Sequence, residues 1–185
     1  MPKNVRTQPA YVPEGDAEKM NQPSLLYPGQ LGIRFTITQP GPLYGVPGAE
    51  QYRDKTYQIV KTDSTMAVSP YKGAVAWWAD QANYSTTTDP TKLGRGRVAG
   101  VYQFAITKGN FGTIQVQGPA TVKFVDVPTA EPSAAGLIAI PSATAAKADC
   151  LGAGTAATYP ALGRTTSVRD PASEAIVDLE LPEVP

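Results

Sequence analysis

The sequence predicts an all-β protein, a small β-barrel or sandwich with an extended N-terminal arm and long Pro/Gly loops. Three observations carry that reading. Short runs with a period of two recur from residue 31 to the C-terminal stretch, no segment keeps a helical period beyond a few turns, and 17 glycines and 18 prolines punctuate the runs. Short alternating segments separated by turn residues are what a barrel or sandwich requires.

Residues 1–30 are polar, carry Pro2, Pro9, Pro13, Pro23 and Pro28, and show neither helical nor strand periodicity. They read as an extended arm, which at full stretch reaches on the order of 100 Å. Tyr11, Leu25, Leu26 and Tyr27 are the apolar residues it could dock on a neighbouring molecule. Residues 31–185 read as one domain. In "LGIRFTIT", Ile33, Phe35 and Ile37 share a face opposite Arg34, Thr36 and Thr38. A Pro/Gly-rich loop at 39–54 follows, then two β-rich runs, "KTYQIVK" and "AVAWWA". The polar run "NYSTTTDPTKLGRGR" reads as a connection, and a strand signal resumes at Val101 within "VAGVYQFAIT".

Between Lys108 and Phe124, Ile114 and Val116 alternate with Thr113, Gln115 and Gln117. After Gly118-Pro119, Ala120, Val122 and Phe124 alternate with Thr121, Lys123 and Val125. This predicts a hairpin, with Gly118 at the positive φ of a type II′ turn and Pro119 beside it. Residues 128–163 form an Ala/Gly-rich segment with one apolar run, Leu137–Ile140, in which glycine and proline recur too often for helix. In "EAIVDLELPEVP", Val177, Leu179 and Leu181 alternate against Asp178 and Glu180, so a last strand returns to the sheet.

Composition closes off whole classes of function. With 16 basic and 16 acidic residues the formal charge is zero, so neither nucleic acid nor an anionic membrane is the expected partner. The longest apolar run, "GAVAWWA", is too short to cross a bilayer, and the first twenty residues lack the apolar core of a secretion signal. The expected site of synthesis is the cytoplasm. The chain has one cysteine, Cys150, and no histidine. That removes intrachain disulfides, multi-thiolate metal sites, Ser-His-Asp and Cys-His nucleophile systems and HExxH zinc sites.

The remaining motifs are weak. "GAGTAA" (152–157) matches a loose dinucleotide pattern, but no strand precedes it and Tyr159-Pro160 block the helix that must follow. "GRGRVAG" lacks the GK[ST] ending of a phosphate loop. Asp178 and Glu180 could form an acid pair or ligate calcium, but they read as charges that guard an edge strand. "NYS" fits a glycosylation acceptor, which means nothing without a secretion signal. No catalytic, cofactor-binding or metal-binding residue is expected, and Cys150 is expected to be neither catalytic nor paired. Trp77 and Trp78 are neighbours on a strand and point to opposite faces, so one indole is free to face outward as a contact for another subunit.

The runs "KTYQIVKTDS", "KGAVAWWAD" and "GRVAGVYQFAITKGNFGTIQVQGPATVKF", closed by "LGRTTSV" and "AIVDLEL", together resemble the small head decoration, or capsid cement, proteins of tailed bacteriophages. The similarity covers roughly residues 55–126 and 162–181. It rests on the order of the pieces: a strand ending in "AGV", the glycine loop "TKGNFG", "IQVQGPATV", an Ala/Gly-rich segment, and "LGR" before an acidic strand. The resemblance implies a β-barrel or sandwich core bound to the outer surface of an assembled capsid, without catalysis. It also implies the major capsid protein and copies of this chain as partners, a trimer over a threefold axis favoured, and the virion surface as location. The long N-terminal arm and the loop at 39–54 depart from the shortest such proteins. Two alternatives stand beside it. A tail or head-fibre β-domain would tend to carry repeats, which this sequence lacks, and a carboxylate-dependent glycosidase would need two acids converging in a deep pocket.

Overall fold

The computed structural model describes residues 31–37, 54–92, 98–132, 136–152, 156 and 159–181. The expected arm at 1–30, and the expected loop at 39–54 up to residue 53, lie outside the described residues. The described chain forms β1 (Arg34–Ile37), β2 (Lys55–Thr62), β3 (Val75–Asp80), β4 (Ser85–Thr87), β5 (Val98–Val101), β6 (Phe111–Lys123), β7 (Ile138–Pro141), β8 (Ala148–Cys150), β9 (Gly163–Thr165) and β10 (Glu174–Glu180). One turn of 3-10 helix, Pro90–Lys92, is the helical element among the described residues.

The fold is all-β. Five strands close on themselves: β2 pairs with β4, β4 with β3, β3 with β5, β5 with β6, and β6 again with β2. Closure of this five-stranded barrel removes the exposed edges that an open sheet would have to protect. Val60, Ala76, Trp78, Ala99, Ile114 and Val116 converge from four of the five strands into one buried cluster with Tyr102, Ile106 and Ala146. Apolar burial of this kind is the main stabilising contribution to the barrel. The fifth strand, β4, supplies Thr86, whose Oγ1 accepts a 2.7 Å hydrogen bond from the Tyr102 hydroxyl and donates to the Lys61 carbonyl.

The β4 strand corrects the sequence reading, in which this run was a connection. Thr86 and Thr87, and Thr88 directly after the strand, are fully buried and their hydroxyls are satisfied by neighbours: Thr88 donates to the Val68 carbonyl at 2.6 Å, and Thr87 Oγ1 accepts from the Asp89 N–H at 3.2 Å. Polar residues tolerate such burial when each hydroxyl finds a partner. The strand signal assigned to Val101 and beyond is also corrected, since β5 ends at Val101. Tyr102 still exchanges backbone hydrogen bonds with Gly73 and Ala74, after which the chain leaves the wall.

The expected hairpin at Gly118-Pro119 is not formed. β6 runs unbroken through thirteen residues, although Gly118 does take a positive φ, +81°. The chain bends there and does not reverse. Before the bend β6 pairs with β2 as far as Gln117; from Gln117 to Lys123 it pairs with β10. The Phe124 N–H donates to the Ser173 carbonyl and the Lys123 N–H to Gly73 on the opposite side. By the same alternation Pro119 faces away from β10, so its missing N–H costs no bond of that ladder. The Gln115 amide nitrogen lies within 3.0–3.2 Å of the carbonyls of Gln117, Gly118 and Pro119, and fixes the bend from the side.

Past the bend, β6, β10, β9, β7 and β8 continue as an outer sheet. Its apolar side buries Ala120, Val122, Phe124, Ala139, Ala148, Cys150, Leu162, Val177, Leu179 and Leu181 together with Val75 and Trp77 of β3 and Val101 of β5. The alternations expected for Ala120, Val122 and Phe124, and for Val177, Leu179 and Leu181, are therefore the ones observed. The turn between β7 and β8 also reaches the barrel: Ala146, at φ +64°, donates to the Thr88 carbonyl and accepts from the Val75 N–H. At the other end β1 lies on β2, with Phe35 stacked on Tyr57 at 5.7 Å and Ile37 and Ile59 completing a small cluster that Ile33 joins.

Candidate functional site

Trp77 and Trp78 project to opposite sides of β3, as a strand dictates. Both are buried, with 1% and 4% of their surfaces exposed. Trp77 enters the cluster under the outer sheet and meets Tyr159 edge-on at 5.3 Å, while Trp78 enters the barrel and meets Tyr84 edge-on at 6.2 Å. An outward indole is thus not found. β3 is covered on one side by the barrel's contents and on the other by the sheet that β10 brings back. The other contact candidates, Tyr11, Leu25, Leu26 and Tyr27, lie outside the described residues.

The acid pair on β10 is not on an edge. β10 lies between β6 and β9, and Asp178 stands in register between Pro119 and Arg164. Glu180 is exposed and Asp178 half-buried. Among the described residues no group of three or more His, Cys, Asp or Glu side chains is placed to hold a metal ion. No helix among them is long and apolar enough to cross a membrane.

A feature that sequence periodicity did not find lies where the loop after β6 meets the loop before β10. Arg169 spans the two. Its Nη1 donates to the carbonyls of Val125 and Asp126 at 3.1 and 2.9 Å, and its Nε and Nη2 grip both carboxylate oxygens of Glu131 at 3.0 and 2.8 Å. Lys147 pairs with Asp126 at 3.0 Å. Asp149 accepts from both the backbone N–H and the hydroxyl of Thr129 at 2.7 Å. The result is a loop fixed at several points along residues 125–131. Val127 and Val168 stand out on this region, 88% and 68% exposed, the large apolar side chains most open to solvent among the described residues. Nothing in the alternation marks them, because each valine simply sits beside charged residues in a loop.

No family model matches this chain, and no curated protein matches it.

Cys150 is the one thiol of the chain. It is fully buried among Ala148, Ala139 and Leu162, and burial, reinforced by the charges of Asp149 and Glu131, pushes its pKa up to about 12. Only the thiolate reacts with disulfide reagents. The native protein at pH 8 is therefore expected to be silent towards a chromogenic disulfide reagent and to titrate as one thiol in denaturant. Rapid reaction of the native protein would contradict this placement.

Proposed function

We propose that the chain is a structural virion protein that binds the outer surface of a tailed-phage capsid and stabilises it without catalysis. Its partners on this reading are the major capsid protein and further copies of itself, a trimer favoured. The observation that supports it best is where the resembling pieces fall. "VAGV" is β5, "IQVQGPATV" lies in β6, "AIVDLE" lies in β10 and "LGR" enters β9, and these four strands are consecutive neighbours across the sheet. Pieces that share an order along the sequence thus also form one continuous surface-to-core unit. The continuous hydrogen-bonded ladder of β6 through the barrel and the second sheet leaves little backbone to order on docking, which lowers the conformational cost of association.

On this reading the N-terminal arm adds contacts that the barrel cannot make alone. Linked weak contacts act together, because occupancy of one raises the effective concentration at the next. Deletion of residues 2–24 removes no residue of any described strand, the first of which begins at Arg34. The truncated protein is expected to keep its β-type circular dichroism and to bind undecorated shells at least about tenfold more weakly, with less protection of the shells against heat. Equal binding and equal protection would remove the arm from the contact. Failure of the full-length chain to bind shells at all would remove the decoration reading itself.

A further inference from the structure

β8 is the last strand of the outer sheet, and the edge it turns away from β7 is covered by the chain that leaves β6. Phe124 bridges to Ala148 in parallel, and the Val125 N–H donates to the Ala148 carbonyl at 2.9 Å. From there to Pro132 the chain is a poor ladder strand, because Pro128 and Pro132 have no N–H to give. Side chains fasten it instead.

Two kinds of fastening divide this cover. Around Val125 and Asp126 the holders are backbone and cations: the Ala148 carbonyl, Arg169 Nη1 on the carbonyls of both residues, and Lys147 on the Asp126 carboxylate. Further along they are carboxylates. Asp149 of β8 accepts from the N–H and the hydroxyl of Thr129 and also from the Cys150 N–H, each at 2.7 Å, while Glu131 reaches back to the Arg169 fork at 2.8 and 3.0 Å. The charges of Asp149 and Glu131 both act on Cys150, so the far end of the cover lies close to β8. Its apolar hold is small. Pro128 and Pro132 are buried, but Ala130 is only half-buried against the cluster under the sheet and Val127 is exposed.

Acid acts unequally on the two parts. Protonation takes the charge from carboxylates and leaves Lys123, Lys147 and Arg169 as like charges around the segment. The other acids nearby are engaged elsewhere: Asp170 accepts from the Glu174 N–H, and Glu174 faces Lys123 at 3.8 Å. At the near end, the hydrogen bond and charge of Lys147, with the charges of Arg169 and Lys123 behind them, hold the Asp126 carboxyl below its ordinary range. That pairing is complete at neutral pH and is lost only as pH falls through the lowered value, so it outlasts an ordinary carboxylate.

We propose that residues 127–132 form a flap over the edge of β8, hinged at Val125 and Asp126, which the carboxylates of Asp149 and Glu131 hold shut at neutral pH and which acid opens while the barrel stays folded. Opening leaves β8 as an unguarded strand edge, a surface on which chains pair.

The test is amide hydrogen exchange of the full chain between pH 7 and about pH 3, corrected for the intrinsic pH dependence of exchange. Protection of the Thr129 and Cys150 amides is expected to fall on the order of tenfold or more in acid, while the Val125 amide and, in the barrel, those of Thr62 and Tyr102 keep theirs. E131Q at pH 7 gives a second reading. It leaves Asp149 in place, so faster exchange of the Thr129 amide, on the order of fivefold, reports the flap moving as a unit. Circular dichroism checks that E131Q folds; if it does not, R169K, which keeps the cation and gives up the fork, takes its place with the same expectation. Undiminished protection of Thr129 in acid overturns the flap. Loss at Thr129 only together with Thr62 and Tyr102 overturns it as well, because that is unfolding of the whole chain. A loss at Val125 as large as at Thr129 removes the hinge, and Thr129 exchange in the variant equal to the parent's shows that the fork does not hold the flap; the proposal fails on either.

Discussion

Replacing Phe124 by alanine is expected to lower the unfolding free energy by about 3–5 kcal/mol, which for a domain of this size means a fall of roughly 6–20 °C in Tm. Phe124 is fully buried in the cluster beneath the outer sheet. Its backbone is pinned on both flanks, by its own N–H to the Ser173 carbonyl and by the next residue's N–H to Ala148. The surroundings cannot relax into the space the ring leaves. Many of its companions are alanines, at 120, 139, 148 and 175, whose positions are fixed by the strands that carry them. Small side chains on a hydrogen-bonded backbone have no rotamer with which to fill a void, so the loss falls toward the upper part of the range for phenylalanine truncation. Urea unfolding with an unchanged slope is the measurement. A midpoint equal to the parent's would mean that the outer sheet is not packed on β3 and β5 as described. Val127→Ala serves as the control, since an 88% exposed valine has little burial to lose.

How much of this was legible in the sequence depends on what each run reports. β1, β2, β3 and β10 alternate or carry β-rich residues, and each appears where the period of two places it. In β4 the carriers are threonines. A count of polar residues reads them as solvated, whereas in the fold the Thr86 hydroxyl is absorbed by Lys61 and Tyr102, that of Thr88 just past the strand by Val68, and all three threonines from 86 to 88 are buried. β8 and β9 have three residues each, too few to establish any period. Gly163 in β9 passes so close to β10 that a Cβ there would overlap the Asp178 carbonyl, a tertiary fact that no local pattern carries.

The tryptophan pair makes the same division. Opposite projection follows from strand geometry and is observed. Exposure does not follow, because it depends on which segments return to cover the outer side of β3, and those are supplied by residues more than forty positions further on. The loop valines lie beyond reach for a different reason: their placement depends on Arg169 bridging two loops about forty residues apart in sequence.

Gly118→Ala should be the most damaging small substitution in β6, with an expected cost of about 2–5 kcal/mol, from a positive φ forced on an L-residue and from overpacking. At φ +81° the added Cβ would overlap the Asp54 carbonyl oxygen and come within 3.3 Å of the Lys55 Cα. Both are backbone atoms at the start of β2, so no side chain can rotate out of the way. Relief would require either moving β2 away from β6 or straightening the bend. The first opens the barrel where it closes. The second takes Ala120, Val122 and Phe124 out of the cluster under the outer sheet and breaks the grip of the Gln115 amide on the carbonyls of Gln117, Gly118 and Pro119. A hairpin reading makes a different forecast: the glycine would sit at an exposed turn, alanine would cost only the positive φ, and the neighbouring strands would be untouched. Hydrogen exchange separates the two. With the bend as described, Gly118→Ala should weaken protection on both sides of it, in β2 and in β10, and lower Tm by several degrees. Loss of protection confined to residues 117–120 would show that the bend is locally independent and that the barrel and the outer sheet are not coupled through this glycine.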